Sequence, residues 1–440
     1  MTTEPAGVGG VGGDVARVGG AGPLTGRVRV PGDKSISHRA LIFAALADGT
    51  SVLEGLSRGD DVVRTARAMA ALGARVDAGE WGRVVVAGGA GRLAEPERPI
   101  DVGNSGTGLR LLAGVAARLA FLTVLVGDES IHRRPMERIV TPLRAMGAAI
   151  DGRHEGRLAP LVVRGGDLRG IDYTPPVPSA QVKSALLLAG LGASGDTVVR
   201  ERHPTRRHTE EMLALAGAPA DVGEEDGHHV VRVRAGELAP FAIDVPGDPS
   251  QAAFLVVAAL VVPGSEVVVE RVYVGPGRAG FIDVLLRMGA DIELVRHDAT
   301  TADLVVRHSA LRATEVRGAE VPDCIDEIPV LAVAACFADG TTVFADAAEL
   351  RVKESDRIAT TTAELGRIGA DIEPTEDGMV VRGGGLHPTG AVRSHGDHRI
   401  AMALSVAALA GGAGSMLEID GFGAVETSWP GFLATLESLR

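Results

Sequence analysis

A short pattern, Gly-Ala-x-x-acid, recurs at a near-even spacing at residues 73–77, 147–151, 217–221, 289–293 and 369–373. Its glycines are 74, 70, 72 and 80 residues apart. An internal period of this size means that one supersecondary unit is repeated, and it limits the fold more than any other feature. Each copy closes an amphipathic segment such as ERIVTPLRAM or GFIDVLLRM, so the glycine reads as a helix C-cap with a strand after it. A sixth copy would fall just past Arg440, where the chain ends on GFLATLESLR.

A second kind of helix alternates with the first. HRALIFAALADG, TGLRLLAGVAARLA, SAQVKSALLLAGLG, PSQAAFLVVAALVVPG, IDEIPVLAVAACFADG and DHRIAMALSVAALAGG are apolar nearly all round, and such a helix is buried on every face. Most then turn at glycine into a β-rich run such as TSVLEG, DTVVRE, SEVVVER or TTVFAD. The predicted unit is strand, helix, strand, helix and further strand, about 70 residues long by the repeat spacing. Six units, three per domain, give an α/β protein of two similar domains.

Two segments, RVRVPGDKS and IDVPGDPS, end a strand on Val-Pro-Gly-Asp. Pro-Gly is turn punctuation, and two like crossings suit a chain that leaves one domain and later returns to it. The expected division is 32–245 as one domain and 23–31 plus 246–440 as the other. The Gly-rich residues 1–22 read as a disordered tail. Within it Gly7, Gly9 and Gly12 match GxGxxG, but no strand precedes them and the segment is of low complexity, so the match is read as accidental and not as a dinucleotide-dependent oxidoreductase.

Composition excludes other classes. The net charge of −13 and the 3% of aromatic residues argue against nucleic acid as a partner. No long uninterrupted apolar run reads as a membrane span, and the N-terminus lacks the apolar core of a signal peptide. The two cysteines, Cys324 and Cys336, flank an apolar segment, which suits a reducing cytoplasm and neither a disulfide framework nor a zinc knuckle. Among 44 basic residues only Lys34, Lys183 and Lys353 are lysines; Asn104 is the single asparagine, and Gln181 and Gln251 are the only glutamines. Codon bias towards Arg, Ala and Gly explains the scarcity. Under that bias the six exceptions mark positions where chemistry requires the residue type.

These rare residues, and several arginines, stand just before or within the first turn of the buried helices. A helix N-terminus offers unpaired N–H groups and about half a positive charge. Helix starts combined with Lys34, Arg39, Arg110, Arg133, Arg134, Arg357 and Arg399 predict a basic cleft for a multiply anionic ligand on an otherwise acidic protein.

Seven segments carry a resemblance. PGDKSISHRA at 31–40, GNSGTGLR at 103–110, RRPM at 133–136, PSAQVKSALLLAGL at 178–191, IDEIPVLAVAA at 325–335, RVKESDRI at 351–358 and GDHRIAMAL at 396–404 resemble, in order, the signature segments of the 5-enolpyruvylshikimate-3-phosphate synthase family. The resemblance implies a two-domain inside-out α/β barrel of six βαβαββ repeats, three per domain, whose domains close on each other. It implies transfer of the enolpyruvyl group of phosphoenolpyruvate to the 5-hydroxyl of shikimate 3-phosphate with release of phosphate, on the shikimate pathway to chorismate and the aromatic amino acids. It also implies inhibition by glyphosate.

By the same resemblance Lys34, Ser35, Arg39, Ser179, Ala180, Gln181, Asp326 and Lys353 bind shikimate 3-phosphate. Lys34, Gly106, Arg134, Gln181, Arg357 and Arg399 bind phosphoenolpyruvate. Asp326 is the base for the attacking hydroxyl, with Asp323 and Glu327 close in sequence; Glu354 is the partner in protonating the methylene carbon, and Lys34 takes part in proton exchange. The spacing of Lys353 and Arg357 predicts both cations on one helical face. Asn104 either positions ligand or caps its helix, Lys183 either contacts ligand or supports its helix, and Gln251 either contacts ligand or braces the hinge. One position departs from the family pattern: where many members carry a C-terminal lysine on phosphoenolpyruvate, VETSWPGF aligns Thr427.

No metal or organic cofactor is implied, since no His/Cys/carboxylate set has ligand spacing. The expected partners are the two small-molecule substrates, with no nucleic acid or membrane, and a monomer is expected. The nearest rival is a UDP-N-acetylglucosamine enolpyruvyl transferase, which uses a cysteine on a mobile loop of its first domain; both cysteines here come late in the chain. A non-catalytic repeat scaffold would leave the gathering of rare polar residues at helix starts unexplained.

Overall fold

The computed structural model describes residues 9–12, 14–79, 81–412 and 414–440. They form two compact units: Gly32–Val245, and Pro246–Arg440 with the described residues up to Pro31. Six four-stranded sheets share one topology, three in each unit. In the first, Ala242–Asp244 runs parallel to Gly49–Glu54, which pairs antiparallel with Arg83–Gly88, and that strand pairs antiparallel with Arg75–Asp77. The other five repeat this order of one parallel and two antiparallel pairings.

Two helices accompany each full repeat. The amphipathic ones, Asp60–Ala71, Glu137–Ala145, Gly280–Arg287 and Arg357–Arg367, and His208–Leu215 in the equivalent place, each end at the repeat glycine. Gly73, Gly147, Gly217, Gly289 and Gly369 all have φ between 62° and 111°, a conformation that a Cβ makes costly. The apolar ones are Lys34–Leu46, Gly106–Ala117 and Ala180–Gly190 in one unit, and Pro249–Val261, Ile328–Cys336 and His398–Leu409 in the other. Every residue of Pro249–Val261, Ile328–Cys336 and His398–Leu409 is buried, and the three pack on one another. Small residues permit such contact: a Cβ on Gly114 would lie 2.3 Å from the Ala185 carbonyl oxygen of the neighbouring helix. The terminal helix Phe432–Glu437 is held by Phe432, whose ring makes edge contacts with Phe254 at 6.3 Å and Trp429 at 5.0 Å.

The N-terminal segment differs from the disordered tail expected for residues 1–22. Val15–Gly19 is a strand, antiparallel to Met416–Asp420, and Gly9–Gly12 pairs with it in turn. These two strands take the places that Arg83–Gly88 and Arg75–Asp77 hold in the first sheet. The sheet that holds Met416–Asp420 thus takes two of its four strands from residues 9–19. Ala16 and Val18 are fully buried, and the ladder satisfies what would otherwise be the bare edge of Met416–Asp420. Gly9 and Gly12 lie in this hairpin with no helix following, so the GxGxxG match is no phosphate loop; Gly7 and the rest of residues 1–8 lie outside the described residues.

Candidate active site

In the unit Gly32–Val245, Lys34 is the first residue of its helix, after Asp33, whose carboxylate caps it by accepting from the Ile36 N–H at 2.7 Å. The Lys34 ammonium donates to Asp61 at 3.1 Å and is partly exposed. Arg39, one turn on, is buried: it donates from Nε to Thr209 Oγ1 at 2.8 Å, from Nη1 to the Ser35 carbonyl at 2.8 Å and from Nη2 to Ser184 Oγ at 2.6 Å. Burial draws its pKa down to about 10; Asp33 and Glu210 oppose that and Arg206 adds to it. Beside it His38 is fully buried and held neutral, its pKa lowered to about 3 by burial and by Lys34 and Arg39.

A second cluster gathers at two further helix starts. Gly106 opens Gly106–Ala117 after its N-cap Ser105, and Ser179 caps Ala180–Gly190 by accepting from Val182 N–H. Arg110 donates to Gln181 Oε1 at 2.6 Å and to the Pro135 carbonyl at 3.2 Å, while Gln181 Nε2 donates to Thr107 at 2.9 Å. Arg134 donates to Asn104 Oδ1 at 3.1 Å and Ser130 Oγ at 3.2 Å. Asn104 therefore does not cap the helix, a role Ser105 takes; it orients Arg134. Gly106, Arg134, Arg110 and Gln181 are brought together, with Ser179 and Ala180 on the same helix start as Gln181.

In the other unit Asp326 stands in the turn before Ile328–Cys336. Its Oδ1 is 3.4 Å from Lys353 Nζ and 3.3 Å from Arg357 Nη1. Arg357 is buried and bonded on all three nitrogens, to Asp326, to Glu354 at 2.6 Å, and to Asp397 from Nε at 2.8 Å. Burial works against its charge, but Asp397, Glu354 and Asp326 outweigh that and raise its pKa above the ordinary arginine value. Burial likewise opposes ionisation of Asp397, and Arg357 prevails, holding that carboxyl below its usual range. Arg399 donates to the Asp326 carbonyl at 2.9 Å, and its N–H bonds the capping Asp397. Lys353 and Arg357 do not share a helical face: Asp356 caps the helix Arg357–Arg367, so Lys353 precedes it, and the two cations meet instead on the Asp326 carboxylate.

The neighbours of Asp326 are now separable. Glu327 is fully buried between Arg399 at 3.5 Å and Arg278 at 4.0 Å and accepts from Ser250 Oγ, whereas Asp326 retains some exposure. Burial pushes the Glu327 pKa up, against Arg399 and Arg278. Thr427 lies in the 3-10 turn Phe422–Thr427 and donates to the Ala424 carbonyl at 2.7 Å. Asp61, Asp397, Arg278 and Arg206 were not singled out from sequence. Only Asp397 carried a local signal, an aspartate directly before a helix.

Glu201, Glu210 and His229 are, among the described residues, the group whose ligand atoms lie within 4.8 Å of one another. Their charge is met by Lys183, whose ammonium is 2.8 Å from Glu201 and 2.7 Å from Glu210. Lys183 thus supports its helix from within the core. Both cysteines are free and buried, and burial pushes the Cys336 thiol up to about 12 and Cys324 higher still, so neither is an activated nucleophile.

Repeated sheets wrapped on buried helices, with polar clusters at the helix starts, define an enolpyruvyl transferase fold. The enolpyruvyl transferase NikO from Streptomyces tendae shares it at a TM-score of 0.77 over 97% of both chains, with 18% sequence identity. EPSP synthase from Acinetobacter baumannii is nearer, with a TM-score of 0.85 and 40% identity over 97% of this chain and 98% of that one. The sequence model of EPSP synthase (3-phosphoshikimate 1-carboxyvinyltransferase) matches residues 18–436. The 3-phosphoshikimate 1-carboxyvinyltransferases of Geobacillus kaustophilus and Brevibacillus brevis are 50% and 48% identical to it, each over 94% of this chain and 98% and 97% of theirs. The chain belongs to the EPSP synthase family.

Proposed function

We infer that the chain is a 3-phosphoshikimate 1-carboxyvinyltransferase of the shikimate pathway: it transfers the enolpyruvyl group of phosphoenolpyruvate to the 5-hydroxyl of shikimate 3-phosphate and releases phosphate. The observation that carries the chemistry is the Asp326 carboxylate, kept partly accessible and held between Lys353 and Arg357. Asp326 takes the proton of the attacking hydroxyl. Glu354, with Lys34, delivers a proton to the methylene carbon, so C–O bond formation and C–H bond formation make a tetrahedral intermediate with a methyl group. Loss of a methyl proton then expels phosphate. General acid–base steps of this kind each contribute about 10²–10⁴-fold.

Lys34, Ser35, Arg39, Ser179, Ala180, Gln181, Asp326 and Lys353 take shikimate 3-phosphate. Lys34, Gly106, Arg134, Gln181, Arg357 and Arg399 take phosphoenolpyruvate; Arg134 and Arg399 suit its carboxylate and phosphate through forked contacts. The helix starts at Gly106 and Ala180 add unpaired N–H groups where anions arrive. We assign the reaction to a cytoplasmic monomer; two buried thiols without a disulfide fit the cytoplasmic part of that reading. No helix of the described residues is long and apolar enough to cross a membrane.

The test is phosphate release from phosphoenolpyruvate with either acceptor. Release with shikimate 3-phosphate, absent with UDP-N-acetylglucosamine, is expected; the reverse pattern would overturn the reading.

A further inference from the structure

Lys183 has no counterpart among the ligand-binding groups assigned above, yet it is one of three lysines in the chain and is fully buried. It lies on the helix Ala180–Gly190, whose first turn carries Gln181. Its ammonium reaches the segment between the strand Thr197–Glu201 and the helix His208–Leu215, bonding Glu201 at one end and Glu210 at the other. The Thr205 carbonyl in the middle lies at 3.5 Å. Thr205 also donates to Glu201 from its hydroxyl at 2.5 Å, so the loop folds around the ion pair. His229 adds to the cluster at 3.3 Å from Glu210. Burial disfavours the Glu210 charge, but His229 and Lys183 overcome that and lower its pKa; the Glu210 contact in turn raises that of His229.

The next residue along on each side links this cluster to Arg39. Ser184 follows Lys183, Thr209 precedes Glu210, and their hydroxyls lie 2.7 Å apart. Both accept from the Arg39 guanidinium. Besides the Ser35 carbonyl of its own helix, the orientation of Arg39 is therefore set by two side chains whose backbones are joined by the Lys183 ion pairs. A buried charge left without its partner is strongly destabilising, so removing the ammonium from between two buried carboxylates leaves Glu201 to Thr205 and Glu210 to His229 and unties the two segments from each other.

We propose that Lys183 is a positioning residue for the shikimate 3-phosphate half-site: by tying Ala180–Gly190 to the segment from Glu201 to Glu210, it holds Thr209 and Ser184 where they orient Arg39. This rests on the assignment of Arg39 to shikimate 3-phosphate. Removing the ammonium loosens Thr209 and lets Arg39 leave its bonded orientation, while Gly106, Arg134 and the residues of the other unit keep their partners.

The experiment is steady-state kinetics in both substrates for Lys183→Met, with Arg39→Lys alongside and a folding check by circular dichroism. Lys183→Met is expected to raise KM for shikimate 3-phosphate about tenfold, with kcat and KM for phosphoenolpyruvate within about twofold of the parent. Should that variant fail to fold, Glu201→Gln, which leaves the lysine one carboxylate, is read in its place and is expected to raise the same KM about threefold. An unchanged KM for shikimate 3-phosphate in a folded variant overturns the proposal. So does a loss of kcat with both KM values unchanged, which signals only a smaller folded fraction. Arg39→Lys separates the two levels: if it leaves KM for shikimate 3-phosphate unchanged, the assignment of Arg39 fails; if it raises that KM while Lys183→Met does not, the positioning role alone fails.

Discussion

A Cβ placed on Gly106 would lie 2.8 Å from Nη1 of Arg134 and 3.2 Å from Nη1 of Arg110. Both atoms end flexible side chains, so alanine fits here only by pushing the guanidinium groups aside, not by moving backbone. The half-site proposed for phosphoenolpyruvate is thus shaped by the absence of a side chain at the first residue of a helix. On that assignment glyphosate, slightly longer than the enolpyruvyl group, is expected to need that space more than the substrate does. The parent enzyme is expected to be sensitive, and Gly106→Ala to weaken glyphosate at least about tenfold more than it raises KM for phosphoenolpyruvate. Paired inhibition curves at fixed phosphoenolpyruvate check this; equal losses for both would refute it.

Lys34→Arg is expected to keep the fold and lose about 10²-fold or more in kcat. The chain uses arginine almost wherever charge suffices, whereas an arginine does not release a proton at neutral pH. The ion pair with Asp61 at 3.1 Å is open to either cation, so circular dichroism should be unchanged. Near-normal turnover would exclude proton exchange at this residue.

Much of the fold was legible because its signals are local. Five C-cap glycines set the period, and all-apolar helices announced their burial. The starts of those helices, and of the amphipathic helix Arg357–Arg367, then marked Lys34, Gly106, Gln181, Arg399 and Arg357 as candidates. What was not legible depends on partners far off in sequence. Val15–Gly19 is a short run in Gly-rich sequence, and it becomes a strand only against Met416–Asp420. Arg39 looked like a ligand group, and its orientation rests on Thr209, 170 residues away. The spacing of Lys353 and Arg357 suggested one helical face, but Asp356 between them starts the helix by capping Ala359 N–H.

The N-terminal strand yields a stability prediction. Val18 is fully buried in it, so Val18→Asp forfeits about 1.5–3 kcal/mol of apolar burial and adds the cost of a buried charge. Val222, on the strand Ala220–Glu225, is half exposed, and Val222→Asp should change stability by less than about 0.5 kcal/mol. Thermal unfolding of the two variants should show a clearly lowered transition for the first only. Equal transitions would mean that residues 15–19 contribute nothing to the fold.

His38 makes stability depend on pH. Its folded-state pKa is about 3, well below the ordinary 6.5, so between those values the unfolded chain binds a proton that the native protein does not. Stability is therefore full above about pH 6.5 and falls as pH drops towards 3. Between pH 6 and 4, His38→Leu should show a shallower loss of stability than the parent, by about one proton per molecule. Urea midpoints across that range measure it, and parallel slopes would show that His38 titrates normally in the native state.

Enolpyruvyl transfer by addition and elimination leaves an isotopic record when the reaction is run in D₂O and the product is examined by NMR and mass spectrometry. Addition turns the methylene carbon into a methyl group by taking a proton from the enzyme, and elimination removes one of three hydrogens from that methyl. Phosphate and 5-enolpyruvylshikimate 3-phosphate are expected in equal amounts, with deuterium in the vinyl methylene, and Asp326→Asn is expected to lower the rate about 10²-fold or more. Product formed without deuterium in the methylene, or phosphate released without the enol ether, would contradict it.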